Sequence, residues 1–320
     1  KEKQADVLYA QGKTQEADYL SGKQLHPGYV SVAEREEIER EEIKKKAEAA
    51  ERPLTSQTRR AGGGQVLVTM AGNGVIRSRC SDELVQFAEK LNIPVATTFM
   101  AKGAIASSHE LSLGTVGLQA NDYVSCGFDR ADVIVCVGYD IVEYHPYLWH
   151  KSKDRKIIHI DTRPAEVDGH YVLAVGVVGD IGTALNQIAA KARRHPGTDY
   201  AGLRETIKQE LAWNTDADDF PIKPQRIIHD LQQALAPEDI VISDVGAHKM
   251  WMARMWQSER PNTCIISNGF ASMGIAVPGA VAASLAHPDR KAVAVTGDAG
   301  FLMNSQEIET AMRLGTPIVI

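Results

Sequence analysis

From residue 65 onward, short apolar runs alternate with amphipathic helical stretches, and loops of small residues follow several of the runs. A parallel strand reaches its neighbour only through a crossover, usually a helix. The alternation therefore predicts an α/β fold of doubly wound parallel sheets with helices on both faces. In the first unit, strands are predicted at 66–70, 94–98, 133–137 and 157–160. Ser81 reads as the cap of a helix with Asp82 and Glu83 in its first turn, and a second helix is predicted over 181–194, with Ile181, Leu185, Ile188 and Ala189 on one face. A second unit follows, with a helix over 225–235 and strands at 240–243, 263–266, 292–296 and 317–320. The sequence thus divides into a central α/β domain over 65–195, a linker over 196–220 and the first part of another α/β domain over 221–320.

Residues 1–64 have a different texture. The stretch 34–52 is almost entirely charge and Ala, with Glu36/Arg40, Glu41/Lys45 and Glu42/Lys46 spaced four apart. Such pairs support a helix, but Ile38 and Ile43 are too few to bury a stripe, so a solvated charged helix is expected. Pro53 ends it, and the glycines at 62–64 read as a flexible joint. Lys1 is not a Met, and the last five residues, TPIVI, read as a strand just beginning. Both ends look cut, and a fragment of a longer protein is expected.

Composition excludes some functions. A net charge of −6, from 35 Lys and Arg against 41 Asp and Glu, argues against a nucleic-acid partner. No apolar run approaches the ~18 residues of a membrane span. The four cysteines, Cys80, Cys126, Cys136 and Cys264, have no metal-ligand spacing and read as buried reduced thiols of a cytoplasmic protein.

Four loops could carry chemistry. Ala71-Gly-Asn-Gly-Val75 follows a strand, where glycines serve either a nucleotide phosphate or a tight turn. Gly297-Asp298-Ala299-Gly300 also follows a strand. Asp298 there either meets a metal that phosphate oxygens also hold, or caps the next helix. Asp244-Val-Gly246-Ala-His248 opens a helix, whose first amides suit a diphosphate; His248 adds a hydrogen bond or simply packs. Ser272 and Met273 lie in a small-residue loop at the mouth of a helix, where Met otherwise fills core gaps. Three of these loops lie at strand carboxyl ends, which converge on one crevice in an open parallel sheet.

Taken together, DVGAHKMW, SNGFASMG and GDAGFLMNSQEIETA resemble, in order and spacing, the cofactor-domain motifs of the acetolactate synthase group of thiamine diphosphate enzymes. AGNGVI, IPVATTFMAKG, LGTVG, VGYDIVEYHPYLW and IIHID resemble the central domain of that group, and the VGY…VEY…P…W phrase is closer to its catabolic, flavin-free branch. The resemblance covers 65–320. It implies that Asp298 binds Mg²⁺ bridging the diphosphate, within a cofactor loop of Gly297, Asp298, Ala299 and Gly300. It also implies that Gly246 and His248 contact the diphosphate and that Ser272 and Met273 lie at the aminopyrimidine. The bulk of Met273 would hold the cofactor bent, so that its own imino nitrogen reaches the thiazolium carbon. The implied reaction joins two pyruvate molecules into 2-acetolactate with loss of carbon dioxide.

In that group a Glu from a separate pyrimidine-binding domain activates the cofactor, and an Asn beyond Ile320 completes the metal site. Neither has a counterpart in these 320 residues, so the chain alone is expected to be inactive. Tyr139, Glu143 and Tyr144 follow the strand at 133–137, where relatives hold FAD, ADP or nothing, and a site without FAD is expected. A homo-oligomer, dimer or tetramer, is implied for the parent protein. The rival readings are another thiamine diphosphate enzyme acting on a different 2-oxo acid, and a nucleotide-binding module without catalysis.

Overall fold

The computed structural model describes residues 66–117, 123–150, 154–197 and 200–320. The charged stretch 34–52, the glycines at 62–64 and the side chain of Cys126 lie outside the described residues. The first sheet holds six parallel strands: β1 (Leu67–Ala71), β2 (Val95–Thr97), β3 (Ser112–Thr115), β4 (Val133–Val137), β5 (Lys156–Asp161) and β6 (Leu173–Val178), in the order β3-β2-β1-β4-β5-β6. Thr69 pairs with Val95 on one side and Val135 on the other, so β1 and β4 lie together where the strand order reverses.

Both faces of this sheet are covered, and alternate residues of one strand serve opposite cores. Ile134 and Cys136 pack against α3 (Tyr123–Arg130) and α5 (Ala201–Ala212), through Phe128, Leu203 and Ile207. Val135 and Val137 pack on the other side with Leu84 and Phe87 of α2 (Ser81–Leu91) and Ile181 and Leu185 of α4 (Ile181–Lys191). Two-sided burial is why these strands read as unbroken apolar runs.

The second sheet has three parallel strands, β7 (Ile240–Ser243), β8 (Cys264–Ile266) and β9 (Ala292–Val295), ordered β8-β7-β9. One face packs on α6 (Pro224–Ala234) and α7 (Ala247–Met255) through Ile228, Met252 and Met255. The other packs on α8 (Ala276–Ala286) through Ala276, Val277 and Ala280. Small residues let α8 lie close: a Cβ on Gly279 would sit 3.2 Å from Ile242 Cγ2. Two short helices follow, α9 (Asp298–Met303) and α10 (Glu307–Leu314). The strand expected at 317–320 is present as one parallel bridge, Val293 to Val319. Doubly wound parallel architecture is therefore present in both halves. No helix among the described residues is long and apolar enough to cross a membrane.

Several local expectations need correction. The cap of α2 is Cys80, with no side-chain hydrogen bond, and Ser81 is already helical. The helix expected over 181–194 ends at Lys191. Two further strands are present: β3, SLGT, which carries Gly and little apolar bulk, and β6, LAVGVV, which is apolar but largely exposed. The stretch 196–220 contains α5, whose Leu203 and Ile207 belong to the first core. Glu210 of α5 also pairs with Arg254 of α7.

Candidate functional site

In the second sheet the central strand β7 ends at Ser243, and the next residue, Asp244, is fully buried. Its Oδ1 accepts hydrogen bonds from Val245 N at 2.7 Å and Gly274 N at 2.8 Å, and its Oδ2 from Ala276 N at 3.1 Å. Thr296 Oγ1, at the end of β9, stands 3.5 Å from the same Oδ2. A Cβ on Gly300 would come within 3.0 Å of the Asp244 carboxyl carbon. One carboxylate thus ties together the loops after β7, β8 and β9. Asn304, just past α9, adds a further tie by donating to Gly274 O at 2.7 Å.

His248 stands in the first turn of α7 with its ring against two glycines. A Cβ on Gly246 would lie 2.8 Å from the ring Cε1, and one on Gly297 would lie 3.5 Å from both Cε1 and Nδ1. Gly246 has φ +156° and ψ −167°, a backbone conformation that suits glycine. The Nε2 atom of His248 is buried and has no hydrogen-bond partner. Burial lowers the His248 pKa below its ordinary value, against the opposing pull of Asp244. Burial thus favours the neutral ring. A buried polar atom without a partner costs about 1–3 kcal/mol, which a hydrogen bond from an incoming group would relieve.

Asp298 is exposed at the start of α9, its Oδ1 accepting from Ala299 N at 2.8 Å. Ser272 and Met273 are also exposed, Met273 to 43 %, in a loop where Ala271 takes φ +47°. Gly297 brings the His248 and Asp298 loops together, and Gly274 brings the Met273 loop onto Asp244. The side chains of Ser272 and Met273 are anchored only through that backbone. No group of three or more His, Cys, Asp or Glu among the described residues could hold a metal ion by itself.

The residues match two descriptions of known families: "Thiamine pyrophosphate enzyme, central domain" over 65–188 and "Thiamine pyrophosphate enzyme, C-terminal TPP binding domain" over 244–320. The chain belongs to the thiamine pyrophosphate enzyme family. Its first match spans the six-stranded sheet, and its second begins at Asp244 and contains all three convergent loops. The chain is similar to a "probable acetolactate synthase large subunit" of Methanocaldococcus jannaschii, 35% identical over 79% of this chain and 44% of that protein. It is similar to an acetolactate synthase of Bacillus subtilis at 33% identity, over 79% of this chain and 45% of that protein. It is also 30% identical to YdaP of Bacillus subtilis, named as thiamine pyrophosphate-containing, over 79% of this chain and 44% of that protein. The chain therefore spans under half the length of these relatives.

In the central domain, the loop after β1 turns tightly into the short helix α1 (Asn73–Arg77). Gly72 N donates to Val137 O at 2.9 Å and Gly74 N to Gly138 O at 2.7 Å. Cβ atoms on Gly72 and Gly74 would lie 2.4 Å from Gly138 O and 2.5 Å from Gly138 Cα. These glycines admit a neighbouring chain segment. Of the three residues expected around a ligand here, Tyr139 and Tyr144 are buried in the core, the Tyr139 hydroxyl donating to Tyr144 O at 2.5 Å. Only Glu143 lines the cleft, a space of about 370 Å³ that also touches Asn73, Arg77, Asp140 and Phe270.

Asp244, Glu143 in its actual contacts, and Asn268 were not singled out by motif. Asn268 Nδ2 donates to Glu143 O at 2.9 Å and its Oδ1 accepts from Lys249 Nζ at 2.8 Å, linking the two sheets beside His248. An Asp directly after an apolar strand and before Val-Gly was the available signal for Asp244.

Proposed function

We propose that the loops gathered on Asp244 form the diphosphate and metal end of a thiamine diphosphate site. In the whole protein, that site serves the joining of two pyruvate molecules into 2-acetolactate with release of carbon dioxide. The observation that carries this reading is the His248 ring, packed by its Cε1–Nδ1 edge against the glycines of two separate loops and left with a buried, unpartnered Nε2. Gly246 and His248 would receive the diphosphate. Asp298, with Gly297, Ala299 and Gly300 around it, would hold Mg²⁺ against that diphosphate. Ser272 and Met273 would lie against the aminopyrimidine, with Met273 setting its tilt. The cofactor, when bound, supplies the electron sink for loss of carbon dioxide from a 2-oxo acid. The chain's residues bind and orient it, and Asp244 keeps their loops in register.

The acetolactate synthases among the relatives support pyruvate as substrate, and a homo-oligomer for the whole protein goes with that reading. A second reading has the same cofactor act on a different 2-oxo acid; YdaP is named for thiamine pyrophosphate alone. Titration of the 320-residue chain with thiamine diphosphate, with and without Mg²⁺, tests the site. We expect weak, Mg²⁺-dependent binding that disappears in Asp298→Asn and is reduced in His248→Ala. Affinity unchanged by Asp298→Asn would refute the metal assignment. In a protein of the relatives' full length, acetolactate formed from pyruvate separates the first reading from the second, under which no acetolactate appears.

A further inference from the structure

The central cleft already contains an anion. Glu143 is 8 % exposed, and its two carboxylate oxygens are met from three sides. Asn73 N donates to Oε1 at 3.0 Å and Oε2 at 3.1 Å, Asp140 N to Oε1 at 3.3 Å, and the Thr98 hydroxyl to Oε2 at 2.5 Å. These donors come from the loops after β1, β4 and β2, the neighbouring strand ends where an open α/β sheet receives a ligand's phosphate. The remaining amides of the first loop are spent on Val137 O, Gly138 O and Gly72 O. A Cβ on Gly72 would touch Glu143 Oε1 at 2.8 Å, so the carboxylate lies directly against the backbone. No amide of residues 72–75 is left for a second anion. Asp140 adds negative charge to the same cleft, with Arg77 opposing it.

We infer that Glu143 is an internal substitute for a ligand phosphate, so that the central cleft excludes phosphate-bearing nucleotides, FAD and ADP included. The carboxylate takes the donors a phosphate would need, and it repels any phosphate that approaches the residual space. Burial raises the Glu143 pKa, and the hydrogen bonds from Thr98, Asn73 and Asp140 oppose that shift while fixing the Asp140–Glu143 turn. That turn presents Glu143 O to Asn268, so the same residue joins the closed cleft to the loop that carries Met273. This inference rests on the central cleft alone and is independent of the thiamine diphosphate reading.

The test is anion rescue in the full 320-residue chain. Glu143→Ala should melt at a lower temperature than the wild type. Inorganic phosphate should raise its melting temperature by ~3 °C over sodium chloride of equal ionic strength, with no such difference for the wild type. FAD, followed by its fluorescence, and ADP, followed by calorimetry, should show no binding to the wild type at the central cleft. Should Glu143→Ala fail to fold, Glu143→Ser carries the test: it vacates the carboxylate's place, loses the charge, and should bind ADP at least tenfold more tightly than the wild type. Central-cleft binding of FAD or ADP by the wild type would overturn the inference. So would a folded Glu143→Ala that phosphate does not stabilise beyond chloride, or a Glu143→Ser whose ADP affinity equals that of the wild type.

Discussion

The two sheets of this chain use the same device to opposite ends. Each places a buried carboxylate just beyond a central strand and lets it gather donors from neighbouring loops: Glu143 in the six-stranded sheet, Asp244 in the three-stranded one. Glu143 faces the crevice and takes up the donors at its floor. Asp244 lies beneath its loops, which leaves Gly246, Ser272, Met273 and Asp298 exposed above and His248 Nε2 without a partner. The contrast teaches that a glycine-rich loop at a strand end says little by itself. What decides between a closed turn and an open site is where the nearest carboxylate stands relative to the loop amides.

The comparison can be broken by variants of graded effect. Asp244→Asn should be the most damaging, destabilising the chain by ~3 kcal/mol because donors on the β8 loop lose a buried acceptor. Chemical denaturation monitored by tryptophan fluorescence measures it, and a loss below ~1 kcal/mol would mean that the three loops are held by other contacts. Gly74→Ala comes next. Its Cβ would lie 2.5 Å from Gly138 Cα, and we expect a loss of ~2 kcal/mol in the same assay.

Lys102 gives a smaller, pH-dependent effect. It is buried between the sheets, its Nζ donating to Thr115 Oγ1 at 3.1 Å and Ala253 O at 2.8 Å. Burial pushes its pKa down to about 8, from an ordinary 10.5. Between those values the unfolded chain binds the proton that the folded chain has released, so stability from this group rises with pH. The wild type should gain on Lys102→Met by ~1 kcal/mol per pH unit from pH 8 toward 10. A difference that stays flat with pH would place the charge elsewhere. Smallest of all, Asp298→Asn should leave stability within about 0.5 kcal/mol, since the side chain is exposed. That near-silence in denaturation, beside the loss of cofactor binding proposed for the same variant, would separate a ligand-facing acid from the two acids that hold loops.

The same contrast explains what could be read from the residues alone. Strands β4 and β7 were legible because VIVCV and IVIS are buried on both faces and carry no break. Strand β3 was not, since SLGT has Gly in the middle and draws its place from pairing with β2. Helix α5 falls within the expected linker because His195-Pro-Gly and the acidic stretch 214–219 flank it, and its stripe of Leu203, Ile207 and Leu211 stands among polar neighbours. At the site, His248, Met273 and Asp298 were visible as motif residues. Asp244 was not, because an acid beside glycine reads as a turn, and only the fold brings Gly274 and Ala276 to it. Glu143 was noticed for its position, but its partners at Asn73 and Thr98 come from other strands.

Because Asp244 fastens three loops with one side chain, those loops cannot adjust one at a time. Folding has already taken up much of the disorder that docking would otherwise remove, so an arriving molecule meets a rim whose walls move together or not at all. A rim of this kind discriminates by shape: a guest slightly too long is refused by every wall at once, whereas separate loops would each have yielded a little.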